Sequence, residues 1–576
     1  MRVTLLVAAL TLGACGSGGE GAAPDGALPG GDAGGVDATP VDLFVADHVL
    51  EVEVTLAAAD WDALRAQTRG VFDVLGQSCL AAPPESPFSY FPAAVTIDGV
   101  SLPQVGLRKK GFFGSLSTTK PSLKINFDEV VAGQEYGGLD KLTLNNALSD
   151  PSYVKQCLGY ALFAEAGVPA PRCGFAHVTV NGEDLGVFVN VESVDKHFLR
   201  RHFTSDAGNL YEGALSDFRP GWVETFSKKT NDADPARDDL RALTDALEVS
   251  DDALIATVEP LVDLDRFTTF WAMELLLMHA DGYARNTNNF FAYQDPDGGR
   301  FEFIPWGIDS ILFPDAALPW ESVRPPDDVW AEGVLANRLY GNAATREQFR
   351  ARLRGLLVTV WNEARIGAEI DRLSTLIAPY VLPAEADQHA AALEQLHTFV
   401  AGRRATLDAA LVGAGSAWTA PLRDPWCIEP RGDVAGTFAT TFGTHDSADP
   451  FADGTSTIDL TIPGGTFTDL TGGATAGTSP DSGKTAIRAV VLTTESTAVV
   501  VQIEADPSLL VPGATLAIDW IEASGYVIQI DFAPEPDTFA VIGVLGDGEL
   551  HLDATGTNPG DPVTGSFSST IYDPFF

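Results

Sequence analysis

From residue 49 the chain alternates: Val52, Val54 and Leu56 are interleaved with Glu51, Glu53 and Thr55, the period-two pattern of a half-buried strand. Asp60 then reads as the cap of a helix beginning at Trp61. Strand-like runs follow at 93–98, 104–109, 122–127 and 141–145, and a helix predicted over 152–166 ends at Gly167, ahead of Pro169 and Pro171. Phe175 to Val180 and Leu185 to Glu192 flank Asn181-Gly182, a pair that tolerates positive φ at both positions and so predicts a tight hairpin. Beyond the hairpin the period lengthens, and helices are expected near 194–202, 235–248, 251–258, 263–280, 344–364, 366–378 and 384–412. From Cys427 onward short alternating runs, with Gly and Thr between them, predict a separate β-sandwich-like domain. The pattern is that of an α+β chain: a sheet-rich lobe at 43–195, a helical lobe at 196–413, a linker at 414–430 and an all-β accessory domain at 431–576.

Charge narrows the classes of function. Lys and Arg total 36 against 79 Asp and Glu, a formal net charge of −43, which repels phosphate backbones and anionic lipid wherever no basic pocket intervenes. Nucleic-acid binding and electrostatic membrane docking are excluded on that ground, and any phosphate site has to be a local exception. The accessory domain is the extreme case, with Arg431, Lys484 and Arg488 its basic residues after Cys427. Its acidity reads as a solvated face, since no Asp-rich loop has the spacing of a calcium site.

Arg2, the apolar run Val3 to Leu12 and the ending Leu12-Gly-Ala-Cys15 read as an export signal of residues 1–15, too short to span a bilayer stably. The ending resembles a bacterial lipobox, which places a lipid anchor on Cys15 and the protein outside the cytoplasm, at the membrane or cell surface. Residues 16–42 are Gly-rich and form a flexible tether. Four cysteines remain, Cys79, Cys157, Cys173 and Cys427; in an exported chain they allow up to two disulfides whose pairing is not readable.

The candidate chemistry lies in 279–293. Asp281 is followed five positions later by Asn286, the spacing of a kinase catalytic loop, in which the Asp accepts a hydroxyl proton and the Asn holds magnesium. Downstream an apolar strand, Phe301 to Trp306, leads to Asp309, which suits a second metal position. Upstream, Arg108, Lys109 and Lys110 precede a Gly-containing turn, and Lys124 sits midway along the next strand, where it can neutralise phosphates. Glu192 and the residues after it have the form of a hinge between lobes, suited to holding an adenine.

Several ordered segments carry a family resemblance: V-G-L-R-K-K-G at 105–111, K-P-S-L-K at 120–124, L-T-L-N-N at 142–146, A-G-V-P-A-P at 166–171, V-N-G-E-D-L-G-V-F at 180–188, G-N-L-Y-E at 208–212, D-G-Y-A-R-N-T-N-N at 281–289 and I-P-W-G-I-D at 304–309. Across roughly 43–412 the chain resembles the CotH (spore coat protein H) kinase-like family. The resemblance implies an atypical two-lobed protein-kinase-like fold using ATP with magnesium or manganese to phosphorylate Ser or Thr of a partner protein. It implies Arg108 and Lys124 as phosphate-binding residues, Asp281 as the catalytic acid–base, and Asn286 and Asp309 as metal positions with Asn289 in support; Lys110 of the basic segment and Glu192 of the hinge complete the expected cofactor-binding set. The glutamate that orients the phosphate-binding lysine in ordinary kinases is not assignable from sequence; Glu165 is the candidate, against the reading that it is a surface residue of its helix. Many members read Pro-Trp-Asp-x-Asp where this chain has Pro305-Trp-Gly-Ile-Asp309, so the first acid is missing. Fungal proteins resembling the same family act as host-binding invasins, which makes a surface-binding scaffold the alternative function.

Overall fold

A computed structural model describes residues 42–574 other than 77–78, 314–323, 426, 448, 464, 481 and 534–537. The expected signal peptide, Cys15 and all but the end of the tether lie outside the described residues. The chain forms two compact units: the described residues up to Arg69 together with Leu80–Pro425, and Gly70–Cys79 together with the C-terminal segment.

In the first unit, β1 (Val49–Thr55), β2 (Phe91–Ile97), β3 (Val100–Lys110), β4 (Ser122–Asn126), β5 (Lys141–Asn145), β6 (Cys173–Val180) and β7 (Glu183–Val191) pair in the order β1-β2-β3-β4-β5-β7-β6. The sheet closes on itself because β1 pairs antiparallel with β2 and parallel with β6. Its core-facing positions are aliphatic, among them Val52, Ile97, Leu107, Leu123, Leu144 and Val178. The expected hairpin forms between β6 and β7, with Asn181 and Gly182 at φ 52° and 82°. Helix α1 (Ala58–Ala66) starts earlier than expected: Ala57 is its N-cap, and Asp60 stands in the first turn, where a carboxylate favours the helix dipole without capping it.

The short helix α2 (Val71–Leu75) belongs to the second unit, whereas the sequence pattern had left it in the N-terminal lobe. Phe72 packs 4.6 Å from the Tyr572 ring, the Ile428 N–H donates to Leu75 O, and Cys79 is bonded to Cys427. These long-range ties leave no trace in local periodicity.

In the first unit α3 (Lys155–Glu165) packs on the barrel and is tied to β6 by the Cys157–Cys173 disulfide. The helical lobe holds α4 (Lys196–His202), α5 (Asp238–Leu247), α6 (Asp251–Val258), α7 (Leu264–Leu277), α8 (Tyr283–Asn286), α9 (Val334–Gly341), α10 (Ala343–Thr359), α11 (Glu363–Ile377) and α12 (Ala386–Ala410). It also holds a sheet the helical pattern concealed: β8 (Leu210–Gly213), β9 (Ser227–Lys228), β10 (Phe290–Asp295) and β11 (Arg300–Pro305), ordered β11-β10-β8-β9. Buried Phe267, Trp271 and Phe303 pack α7 onto this sheet, which fixes the start of the loop carrying Asp281.

The C-terminal unit is a closed barrel instead of the expected sandwich. Strands β12 (Pro430–Thr441), β13 (Thr455–Ile462), β14 (Gly465–Thr478), β15 (Thr485–Leu492), β16 (Thr497–Ala505), β17 (Thr515–Ile518), β18 (Ala523–Asp531), β19 (Thr538–Ala554) and β20 (Pro562–Tyr572) form one sheet. A short helix α13 (Pro450–Asp453) sits between β12 and β13. β12 pairs with both β13 and β20, so the sheet has no free edge there. Alternation along a strand is the same in a sandwich and a barrel; closure depends on pairing between the first and last strands.

Candidate active site

Antiparallel register sets the basic residues side by side. Arg108 on β3 lies opposite Lys124 on β4, and Lys124 lies opposite Thr143 on β5. With a period of two, Lys110 shares the face of Arg108, and Lys109 points the other way. Lys109 Nζ donates to the carbonyls of Arg65 (2.8 Å) and Gln67 (2.6 Å) at the C-terminus of α1, and burial lowers its pKa to about 8. Lys110 donates to Asn145 Oδ1, and Asn145 Nδ2 donates to Gln156 Oε1 of α3 at 2.8 Å. Glu165 is elsewhere, pairing with Arg365 at 2.7 Å on the surface; the α3 residue linked to the basic face is Gln156.

Arg108, Lys110 and Lys124 line a cleft with about 660 Å³ of unfilled space, part of it continuous with solvent. Lys141, Lys229 and Trp306 line it too, and none of the three was singled out from sequence. Lys229 is held by the buried Glu212 at 2.8 Å. Five cations on one cleft are the local basic exception that a chain of charge −43 requires for phosphate. Glu192 is not in the lining: its carboxylate accepts from Arg172 (2.9 Å to Nη2) and from Arg201, and its N–H donates to Arg172 O. This buried ion-pair network holds the Glu192 side chain at the end of β7, and of the expected hinge it is the residues after Glu192, Ser193, Val194 and Asp195, that line the cleft.

The loop after α7 is built around Asp281. Met278 ends α7 at φ 59°, and Thr287 and Asn289 also take positive φ, a concentration of unfavourable backbone that the surrounding packing must hold. Glu274, fully buried in α7, accepts the N–H groups of Tyr283 (2.8 Å) and Ala284 (2.9 Å) at the start of α8. A lone acid in the run Trp271-Ala-Met-Glu-Leu-Leu-Leu was the available sequence signal for this role, and it was missed.

Asp281 Oδ1 accepts from Asn286 Nδ2 (2.6 Å) and Asn288 Nδ2 (3.1 Å), and its Oδ2 accepts from Asn289 Nδ2 (2.7 Å). Burial raises its pKa to about 7 against those three amides, and the nearby charge of Asp309 adds to the rise. His279 is buried and pushed down to about 4, so it is a neutral ring at pH 7 and no proton carrier. Trp306, a wall of the cleft, donates its N–H to Asn289 O at 3.1 Å and so joins the Asp281 loop to the basic face.

A divalent cation fits part of this set. Asn289 Oδ1 is buried and makes no hydrogen bond among the described residues, which suits an oxygen-seeking ion beside the carboxylates of Asp281 and Asp309. Asn286 is engaged on both sides: its Nδ2 donates to Asp281 and its Oδ1 accepts from Arg423 Nε at 3.2 Å. Gly307 has φ 53°, and a Cβ there would stand 2.4 Å from Asn289 Oδ1. The missing first acid of Pro-Trp-Gly-Ile-Asp309 is thus matched by an asparagine amide filling its place.

A profile described as CotH kinase protein matches residues 107–407, just over half of the chain. The chain belongs to the CotH kinase family. It is 25% identical over 264 residues to the "Inner spore coat protein H" of Bacillus subtilis, covering 43% of this chain and 70% of that protein. It is 23% identical over 266 residues to the "Invasin CotH2" of Rhizopus delemar, covering 42% of this chain and 45% of the invasin. Among solved structures, the Helicobacter pylori proinflammatory kinase CtkA covers 50% of this chain and 90% of its own, at 10% identity and a TM-score of 0.28. Membership in the CotH kinase family makes this a kinase-like protein, and the matched stretch contains Arg108, Lys124, Asp281 and Asp309.

Proposed function

We propose that this protein is an ATP- and Mg²⁺-dependent protein kinase that phosphorylates Ser or Thr of a protein outside the cytoplasm, tethered to the membrane through a lipid on Cys15. The observation that carries the reading is a carboxylate, Asp281, fixed by three asparagine amides next to a cleft lined by five cations. Arg108, Lys110 and Lys124 bind phosphate oxygens, with Lys141 and Lys229 adding charge to the cleft. A divalent cation held by Asp309 and Asn289 supplies, when bound, neutralisation of phosphate charge. Asp281 accepts the proton of the acceptor hydroxyl as its oxygen bonds to the γ-phosphorus and the bond to the ADP oxygen breaks.

The test is incubation of the purified chain with labelled ATP, Mg²⁺ or Mn²⁺ and the extracellular proteins of its source. Label on Ser or Thr of a partner supports the kinase; a chain that binds no nucleotide in either metal is a kinase-shaped scaffold. Gly307 in place of an acid favours that second reading, a surface-binding lipoprotein. Mass spectrometry of the mature N-terminus tests the anchor, and an unmodified terminus away from Cys15 removes it.

A further inference from the structure

Arg423 lies beyond the stretch matched by the family, in the segment following α12, yet its guanidinium reaches the Asp281 loop. The segment is pinned along its length. Arg350 Nη2 donates to Gly413 O (3.1 Å), Tyr340 OH to Ser416 O (2.8 Å), and Ser416 N–H to Asp328 Oδ2 (3.1 Å). Trp418 and Leu422 pack on the core of the helical lobe. At the far end Arg423 N–H donates to Glu332 O at 3.1 Å, and Arg219 donates to Arg423 O.

An asparagine amide can be turned by half a rotation at little steric cost, which exchanges its donor for its acceptor. A donor on Oδ1 removes that freedom. With Arg423 Nε on Asn286 Oδ1, the Asn286 NH₂ group is committed to Asp281 Oδ1. Asn288 and Asn289 complete the grip, so the carboxylate is oriented from three sides.

We infer that Arg423 is a positioning residue, acting through Asn286 to orient the Asp281 carboxylate, and that Asn286 is a clamp for that carboxylate and not a cation ligand. The inference rests on the kinase reading for the role of Asp281. Removing the guanidinium lets the Asn286 amide turn and the carboxylate drift, which slows transfer while leaving the phosphate-binding face on β3 and β4 untouched. A misplacement of about 1 Å costs on the order of 10²-fold in rate.

The experiment uses the full chain with Arg423→Ala, Arg423→Lys, Asn286→Ala and the Arg423→Ala/Asn286→Ala double variant. Steady-state transfer, thermal midpoint and Mn²⁺ affinity without nucleotide are measured for each. Arg423→Ala is expected to lower kcat roughly 10- to 100-fold at unchanged KM for ATP, with partial recovery in Arg423→Lys. The double variant is expected to be no worse than Asn286→Ala, since both act through one carboxylate. Mn²⁺ affinity is expected to stay within about twofold of wild type in Asn286→Ala. A wild-type kcat in Arg423→Ala, additive losses in the double variant, or a tenfold loss of Mn²⁺ affinity in Asn286→Ala overturns the inference. If Arg423→Ala fails to fold, Arg423→Lys with a native midpoint and a smaller loss confined to kcat carries it, and a wild-type rate there overturns it. A wild type that binds no nucleotide overturns the kinase reading itself, a result distinguishable from the others.

Discussion

Arg108 and Lys124 face each other across β3 and β4 in antiparallel register, both nearly inaccessible to solvent. Like charges directly opposite on a sheet are mutually destabilising, and an anion between them turns that cost into binding energy. A nucleotide polyphosphate should therefore raise the thermal midpoint of wild type, by an amount equivalent to about 2.7 kcal/mol at a hundredfold excess over Kd. In Lys124→Ala that shift should shrink to near zero. A ligand-induced shift of wild-type size in the variant counts against phosphate binding on this face.

Asp281 and Asp309 are expected to fail in different ways. Asp281→Asn keeps the shape of the group but cannot accept a proton, so nucleotide binding should survive while transfer falls by roughly 10²–10⁴, the range for a lost general base. Asp309→Asn withdraws a charge from the cation position, so metal-dependent nucleotide affinity itself should drop. Calorimetric titration and transfer rates on the two variants separate the roles; an Asp281→Asn protein that transfers at the wild-type rate rules out the mechanism.

Restoring the acid that many family members carry should not restore anything here. Gly307 occupies positive φ, and its added Cβ would fall 2.4 Å from Asn289 Oδ1. Gly307→Asp therefore has to displace Asn289, which also donates to Asp281. The expected outcome is weaker Mn²⁺ binding and slower transfer than wild type. A gain in either would mean that Asn289 is not a cation position.

The basic face and the Asp281 loop were legible in sequence because each is local: alternation along β3 puts Arg108 and Lys110 on one face, and Asp281, Asn286 and Asn289 sit within nine residues. The parts that were not legible depend on long-range pairing. Lys229 reaches the cleft through the sheet of β8 to β11, Gln156 in place of Glu165 is selected by how α3 lies against β5, and Arg423 arrives from more than a hundred residues downstream. The arginine partners of Glu192 were not legible either, because a buried acid at the end of a strand looks the same in sequence whether a ligand or two arginines satisfy it.

The disulfides offer a test of stability that is independent of function. Cys157–Cys173 closes a short loop joining α3 to β6, with a sequence separation of 16. A loop of that size contributes about 3 kcal/mol by restricting the unfolded chain. The Cys157→Ser/Cys173→Ser protein should melt several degrees lower in oxidising buffer, and reductant should lower wild type towards it. Equal midpoints in denaturant titrations of the two proteins would show that the bridge is not formed in solution.

Glu274 predicts how stability should respond to pH. Its carboxyl is fully buried in α7, and burial raises its pKa to about 8 against the two N–H donors at the start of α8. The folded-state value is above the unfolded one, so between about 4.5 and 8 the folded chain binds more protons than the unfolded chain. This contribution is fully present below about 4.5 and is lost as pH rises towards 8. Unfolding free energy should therefore carry a downward component across that window, and in Glu274→Gln, which cannot titrate, the component should vanish. The variant replaces one acceptor oxygen by an NH₂ group facing a backbone N–H, so it should also be less stable than wild type at pH 5, by about 1–3 kcal/mol for a buried donor left unsatisfied. Denaturant unfolding of both proteins at half-unit pH steps decides it: parallel curves for wild type and variant would place the Glu274 proton outside this range.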